Sequence, residues 1–259
     1  MRGNFDANII KDDIISWVKE YFNNQPFAKG AIIGISGGKD STVASKLLVE
    51  ALGKERVFGV LMPNGEQKDI EDSLRVVKDL GIGYKIVNIN EAYNGLVNAI
   101  GNNLEEQSLI NIPPRLRMTI LYAIGTSLGY RVCGTGNKSE SYVGYTTKWG
   151  DNAYDFNPIG DLTTDEVIAV GDSLGLPYDL VHKTPSDGLS GKTDEDNLGF
   201  SYDDVNKIIE GGTCGNIELD EKIKNKHIYN NHKRELPPKY IVKFIKSWCI
   251  VSSSSIESL

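Results

Sequence analysis

Short apolar segments alternate with helical patterns along the first half of the chain. The apolar segments are bounded by turn residues and predict β-strands at residues 31–35, 56–62, 84–89 and 130–133. Apolar positions with a period near 3.6 predict helices between them, at residues 42–52, 69–80 and 113–128. An amphipathic helix is predicted before the first strand from apolar residues at helical spacing, namely Ile10, Ile14, Trp17, Val18 and Tyr21.

This alternation favours an α/β fold, a doubly wound, Rossmann-like parallel sheet flanked by helices. The 259 residues suffice for one large α/β domain or two small ones. We expect one domain over residues 1–251, followed by a frayed C-terminal tail at 252–259 that begins with a serine run.

Composition narrows the class of protein further. The net charge is −7, and no strong basic patch is evident in the sequence. Both observations argue against nucleic acid as the main partner. The three cysteines are far apart and form no CxxC pair, which is consistent with a reducing cytosol. An apolar run long enough for a signal peptide or a membrane span is not found. We therefore expect a soluble cytoplasmic protein.

The most informative motif is Ser-Gly-Gly-Lys-Asp-Ser at residues 36–41, between the first predicted strand and the next helix. Glycines and a helix N-terminus let backbone N–H groups approach a phosphate. Asp40 would repel that phosphate unless it binds a bridging divalent cation. The loop therefore predicts a site for the pyrophosphate of a nucleotide with Mg²⁺. The spacing is not that of a Walker A loop, and an ordinary βα turn is the alternative.

A second motif, Gly-Thr-Gly-Asn-Lys-Ser-Glu at residues 134–140, follows the fourth predicted strand. Carboxyl ends of parallel strands share one edge of the sheet, so we expect Asp40 and Glu140 to line one crevice. A surface acid near a helix start is the alternative for Glu140. Residues 184–196 are polar and long for a connection, which indicates a lid.

Taken together, the motifs resemble those of the ammonia-dependent NAD synthetases, which belong to the N-type ATP pyrophosphatases. The similarity runs from about residue 32 to residue 233. It includes residues 62–69, 113–118, 134–140, 144–151, 183–187, 194–199 and 232–234. The resemblance implies the adenine nucleotide alpha-hydrolase type of fold.

The resemblance also implies roles for single residues. The ATP-binding residues would be Gly34, Ile35, Ser36, Gly37, Gly38, Lys39, Asp40, Ser41, Thr135, Thr164 and Ser186. Asp40 and Glu140 would hold Mg²⁺. Deamido-NAD would be held by Arg115, Lys148, Asp155, His232 and Lys233, with Asp40, Lys148 and Asp155 as the catalytic set. Taken singly, a lysine such as Lys148 is usually a solvated surface residue, and a histidine next to Lys-Arg, such as His232, is more often exposed than catalytic.

Two of these positions depart from the family pattern. Thr164 stands where the family often has a lysine that contacts ATP, and Ser186 stands where a threonine is expected. A threonine hydroxyl cannot deliver a charge to a phosphate. The departures bear on the affinity for ATP and leave the reaction class unchanged.

The implied reaction is ATP-dependent amidation of nicotinic acid adenine dinucleotide through an acyl adenylate, giving NAD⁺, AMP and pyrophosphate. The short stretch before Ile32 has no room for a glutamine-hydrolysing domain, so free ammonia, or ammonia from a separate protein, is the expected nitrogen source. The resemblance further implies a homodimer.

Three alternatives stay open at this point. A GMP synthetase core should lack the set formed by Arg115, Lys148, His232 and Lys233. A tRNA-modifying adenylating enzyme should carry a basic face. A non-catalytic adenine-nucleotide sensor would keep the glycine loop but would not need Asp40, Glu140 or a lid.

Overall fold

The computed structural model describes residues 2–66, 70–101, 103–183 and 193–241. Its centre is a parallel sheet with the spatial order β3-β2-β1-β4. The strands are β1 Gly30–Gly34, β2 Val57–Leu61, β3 Gly83–Ile86 and β4 Tyr130–Cys133. Ala31 of β1 lies opposite Val57 on one side and Arg131 on the other. The predicted parallel sheet is confirmed, with its switch point between β1 and β4.

Helices cover the sheet. They are α1 Ala7–Asn23, α2 Lys39–Leu52, α3 Ile70–Leu80, α4 Asn90–Ile100, α5 Glu106–Leu128, α6 Lys138–Val143, α7 Thr164–Ser173, α8 Tyr178–Val181, α9 Asp194–Leu198, α10 Tyr202–Ile209 and α11 Ile217–Tyr229. The predicted opening helix and the predicted helix after the glycine loop are both confirmed.

The helix predicted at residues 113–128 begins earlier than expected, at Glu106. Prolines favour the first turn of a helix, where their missing N–H is not needed, so Pro113 indicated a helix start. The structure instead places Pro113 and Pro114 inside α5. Pro113 is buried, and a Cβ at Gly150 would lie 3.0 Å from the Cβ of Pro114. The helix thus continues through both prolines, with Pro114 packed closely against Gly150.

The two faces of the sheet bury different helices, because successive side chains of a strand point to opposite faces. Ile33 packs with residues of α1, α2 and α7 such as Val18, Leu47 and Val170. Ile32 packs on the other face with Leu121 of α5. A separate cluster joins α6, α10 and α11. These layers hold the loops after β1 and β4 at one edge of the sheet.

Some predicted features lie outside the described residues: Ser186, Cys249, residues 67–69, most of the predicted lid at 184–192, and the tail at 252–259. Within the described ranges, none of the helices combines the length and the apolar character that crossing a bilayer requires.

Candidate active site at the carboxyl ends of β1 and β4

The loop between β1 and α2 requires glycine at position 37. Gly37 has a φ of 77°, a conformation that side chains disfavour. A Cβ there would lie 2.9 Å from the Cβ of Asp72 and 2.9 Å from the backbone nitrogen of Ser73. The loop can therefore pass close to the first turn of α3 only with glycine.

Hydroxyl groups hold this loop in place. Ser36 Oγ accepts the N–H of Gly38 at 3.2 Å and lies 3.1 Å from Ser41 Oγ. Thr42 Oγ1 donates to the carbonyl of Gly38 at 2.8 Å. The loop leads into the N-terminus of the 14-residue helix α2. This positive end of a helix dipole, next to a preformed loop, suits the phosphates of a nucleotide.

Asn137 connects this loop to the one after β4. Its Nδ2 donates to Asp40 Oδ1 at 3.0 Å. Its Oδ1 accepts the N–H of Glu140, and its own N–H donates to Glu140 Oε2, both at 3.0 Å. Asn137 is fully buried, so this capping box holds Glu140 beside Asp40. The prediction that both loops share one crevice is confirmed by these hydrogen bonds.

Lys39 provides a positive charge inside this acidic crevice. The side chain is only 3% exposed, and its Nζ donates to Asp40 Oδ2 at 2.9 Å. Burial by itself lowers the pKa of Lys39, but the charges of Asp40 and Glu140 outweigh it, so the pKa is raised. Burial and the charge of Asp40 also raise the pKa of Glu140. Lys39 therefore stays charged and partly offsets the negative charge of this crevice.

Two further residues complete the crevice, and we did not predict either as a site residue. Asp194, the first residue of α9, is buried, and Tyr202 Oη donates to its Oδ2 at 3.4 Å. Burial, followed by the charge of Glu140, raises the pKa of Tyr202. The Thr-x-x-Asp capping pattern at Thr193 predicts the start of α9, but no local pattern places it beside Glu140.

A second group contains the residues implied for the dinucleotide. Lys148 Nζ donates to the carbonyl of His232 at 2.6 Å, and Arg115 Nε donates to the carbonyl of Lys148 at 3.3 Å. Lys233 Nζ donates to the carbonyl of Gly144 at 2.7 Å and to that of Thr146 at 2.8 Å. The structure thus brings together four predicted residues that are distant in sequence. Gly144 ends α6, so their loop begins where the helix of Glu140 stops.

Trp149 lies in the same loop in a strained conformation. Its φ of 61° is the one positive value outside glycine among the residues that the structure describes. For a bulky residue this costs on the order of 1–3 kcal/mol. The N–H of Trp149 donates to Asn152 Oδ1 at 2.9 Å, and the residue is 52% exposed. Lys148 Nζ lies 5.6 Å from the ring centroid.

Three other predicted residues, Asp155, Thr164 and Thr135, lie in or beside the segments that follow β4. Asp155 Oδ2 accepts the N–H of Val132 in β4 at 2.8 Å, and its Oδ1 accepts the hydroxyl of Tyr122 at 3.2 Å. Thr164 is buried at the start of α7, where its N–H donates to Ser139 Oγ at 3.0 Å. Among the residues that the structure describes, its hydroxyl has no hydrogen-bond partner. Thr135 lies in the loop after β4.

The residues in the described ranges contain no group of three or more His, Cys, Asp and Glu side chains able to hold a metal ion. Mg²⁺ commonly takes one or two carboxylates and completes its octahedron with substrate phosphates and waters. The pair formed by Asp40 and Glu140 fits such an ion when ATP supplies the remaining oxygens.

Comparison with known proteins decides the family. The sequence profile of the NAD synthase family matches residues 10–243, which include both groups described above. The chain belongs to the NAD synthase family. The predicted resemblance is therefore confirmed.

Individual members of the family are similar over much of the chain. The NH(3)-dependent NAD(+) synthetase of Pyrococcus horikoshii is 45% identical over 74% of this chain and 73% of its own. That of Carboxydothermus hydrogenoformans is 38% identical over 92% of this chain and 98% of its own. The structure of the NMN synthetase from Francisella tularensis superposes with a TM-score of 0.86, at 31% identity over 92% of this chain and 99% of its own. The fold of this NAD synthase-family chain is that of the adenine nucleotide alpha-hydrolases.

Proposed function

We propose that this chain amidates nicotinic acid adenine dinucleotide with ammonia at the expense of ATP, giving NAD⁺, AMP and pyrophosphate. The observation that carries the proposal is the hydrogen bond from Asn137 to Asp40. It joins the glycine-rich loop before α2, which suits phosphates, to the start of α6, where Glu140 lies. Membership of the NAD synthase family and relatives called NH(3)-dependent NAD(+) synthetases support it.

The chemistry divides into two displacements. A carboxylate is a poor acylating agent, so the nicotinate carboxylate first attacks the α-phosphorus of ATP, and pyrophosphate leaves. Ammonia then attacks the carbonyl carbon of the acyl adenylate, AMP leaves, and a proton is lost from the nitrogen. The protein mainly positions the reactants and offsets charge in a site that excludes water.

The residues at the start of α2 bind ATP in this proposal. The N-terminus of α2 and the loop at residues 34–41 hold the phosphates, and Asp40 and Glu140 hold Mg²⁺. When bound, Mg²⁺ offsets the negative charge of the departing pyrophosphate. We assign Thr135, Thr164 and Ser186 to ATP as well. For Thr164, the assignment is supported by its buried hydroxyl, which lacks a hydrogen-bond partner within the described part of the chain.

The second group serves the dinucleotide. Lys148 is half-buried, and among the described residues one hydrogen bond, to a backbone carbonyl, occupies its ammonium, so the group can turn to the nicotinate carboxylate. Arg115 and His232 lie next to it. Two carbonyls already hold the ammonium of Lys233, which favours a role in holding the loop. Asp155 is included in the proposed set, although both of its oxygens accept hydrogen bonds from the protein.

We also propose a cytoplasmic homodimer. Apolar side chains on β3, α4 and α5 are exposed, among them Tyr84, Ile86, Leu96, Ile100 and Ile110. Exposed apolar residues on an edge strand and the neighbouring helices are typical of a surface covered by another protein. A second copy of this chain is the proposed occupant, and light scattering of the purified protein tests it. A monomeric mass of the unmodified protein would contradict the proposed dimer.

The function is tested by incubating the purified chain with ATP, Mg²⁺, an ammonium salt and deamido-NAD. We expect NAD⁺, AMP and pyrophosphate in equal amounts. XMP and tRNA, offered in place of deamido-NAD, test the adenylating alternatives and are expected to be inert. Failure to form NAD⁺ while ATP is cleaved with another acceptor would contradict the proposal.

Nicotinic acid mononucleotide is a second candidate substrate. The observation in its favour is the likeness to the NMN synthetase from Francisella tularensis. Both substrates carry the same nicotinate ring, so the same residues would serve each. Comparison of kcat/KM for the mononucleotide and the dinucleotide decides between them, and we expect the dinucleotide to be preferred.

A further inference from the structure

Trp149 combines features that its role in the fold does not explain. Its backbone lies in a region that favours glycine or asparagine, and yet the position holds the largest side chain. That side chain is not used for the core, since about half of it is exposed. Strained residues persist where the surroundings hold them in place, and they concentrate at functional sites.

The surroundings of Trp149 do hold it in place. Its N–H donates to Asn152 Oδ1, and Asn152 Nδ2 donates to the carbonyl of Lys233 at 3.0 Å. The N–H of Gly150 donates to the carbonyl of Thr147 at 2.9 Å, which closes the turn. The loop is therefore anchored to the segment that carries His232, and the indole is presented at its tip.

A cationic group lies beside the indole. Lys148 Nζ lies 5.6 Å from the ring centroid, and Arg115 bonds to the backbone of Lys148. A flat aromatic face beside an ammonium matches a ligand that carries a positive ring and an anionic group next to it. The face attracts the positive ring, and the ammonium attracts the anion.

We propose that the indole of Trp149 is a stacking surface for the pyridinium ring of the substrate, while Lys148 pairs with the carboxylate on that ring. The inference rests on the proposed function and assigns Trp149 a place in it. The ligand class is an N-substituted pyridinium carboxylate, whether it is part of a mononucleotide or a dinucleotide.

The two residues then differ in what they recognise. The substrate and its amidated product share the pyridinium ring, so Trp149 should bind both. The product lacks the carboxylate, so Lys148 should favour the substrate. This difference would help the product to leave once the amide has formed.

Binding of deamido-NAD and of NAD⁺ to a set of variants tests the assignment. Trp149→Gly removes the ring and suits the positive φ, whereas Trp149→Ala removes the ring and keeps the strain. We expect both to raise the Kd for deamido-NAD and for NAD⁺ by roughly tenfold, with the glycine variant at least as heat-stable as the alanine variant. Trp149→Phe should restore affinity to within about threefold of the wild type. Lys148→Ala should raise the Kd for deamido-NAD much more than the Kd for NAD⁺.

Tryptophan fluorescence gives a second, direct readout. In a Trp17→Phe, Trp248→Phe background, Trp149 is the sole indole, and deamido-NAD should quench its emission while ATP alone should not. Unchanged affinity of Trp149→Gly in a protein whose wild type forms NAD⁺ would overturn the stacking assignment alone. A wild type that neither binds deamido-NAD nor forms NAD⁺ would overturn the proposed function and the assignment together. Emission that follows protein concentration but not dinucleotide would assign the ring to a subunit contact.

Discussion

Asn137 donates a hydrogen bond to Asp40 across 97 positions of sequence, at 3.0 Å. The same side chain caps α6 by accepting the N–H of Glu140. One buried amide thus contacts two carboxyl groups that come from the first turns of two different helices, α2 and α6.

Replacement of Asp40 by asparagine should abolish turnover and leave the fold intact. The amide keeps the shape of the side chain and loses the charge that would hold Mg²⁺. We expect kcat to fall by at least about 10²–10³-fold. Pyrophosphate release at saturating Mg²⁺ measures the effect. Glu50→Gln, on the exposed side of the same helix, is the control and should retain full activity. Near-normal release from the Asp40 variant would refute the metal role.

Asn137→Ala should lower activity and stability together. Residues that orient a metal ligand typically contribute ten- to a hundredfold to activity, and loss of a helix cap costs about 1 kcal/mol. Asn216 caps α11 in a similar way, through the N–H of Leu219, but does not contact Asp40. Asn216→Ala should therefore lose a similar amount of stability and keep its kcat. Equal activities of the two variants at a temperature where both are folded would contradict the positioning role.

Lys148→Ala should damage the use of dinucleotide far more than the binding of ATP. Losing one preorganised charged donor costs about 10²–10³-fold in rate. Lys222 is a matched control, because it also lies over an aromatic ring, that of Phe200, and donates to a backbone carbonyl. Lys222→Ala should leave kcat/KM unchanged. If Lys148→Ala also leaves kcat/KM for deamido-NAD unchanged, Lys148 is a surface residue.

Glutamine should not replace ammonia for this chain. A thiol that hydrolyses glutamine needs a lowered pKa. Burial raises the pKa of Cys133, and a hydrogen bond to Asp220 raises the pKa of Cys214. Rates with ammonium salts should rise with pH as the fraction of NH₃ grows. Cys133→Ser and Cys214→Ser should keep the ammonia-dependent rate. Equal rates with ammonia-free glutamine would overturn this expectation.

Arg2 should stabilise the fold in a pH-dependent way. Two of its nitrogens each donate to Glu166 at 2.8 Å, and the Glu166 side chain is fully buried. Burial by itself raises the pKa of Glu166, but the hydrogen bonds from Arg2 outweigh it, so the pKa is lowered. A lowered folded-state pKa stabilises above the unfolded value of about 4.3, and this stability is lost as pH falls through the folded-state pKa.

Arg2→Ala should therefore reduce the free energy of unfolding by about 1–3 kcal/mol at neutral pH, and the difference from the wild type should shrink in acid. Urea unfolding at both pH values measures it. Arg75→Ala breaks an exposed pair with Asp179 and should cost less. A difference that stays constant down to about pH 3 would show that the charge of Glu166 is not involved.

The sequence by itself determined the strands, the parallel sheet and the two loops at its edge. These rest on local rules: apolar runs bounded by turns form strands, and glycines next to a helix start mark an anion site. The positions of Asp40 and Glu140 at strand ends also follow from the chain order, because parallel strands end at one edge. The four strands lie where the pattern predicts them.

The tertiary structure alone decided which side chains meet inside the crevice. Asn137 contacts Asp40, and Asp194 and Tyr202 interact electrostatically with Glu140. Each of these partners is far away in sequence, and no local pattern encodes such a contact. The early start of α5 and the positive φ of Trp149 have the same cause. In each case, packing and hydrogen bonds from other segments outweigh the local preference of the residue, and those segments become neighbours only when the chain is folded.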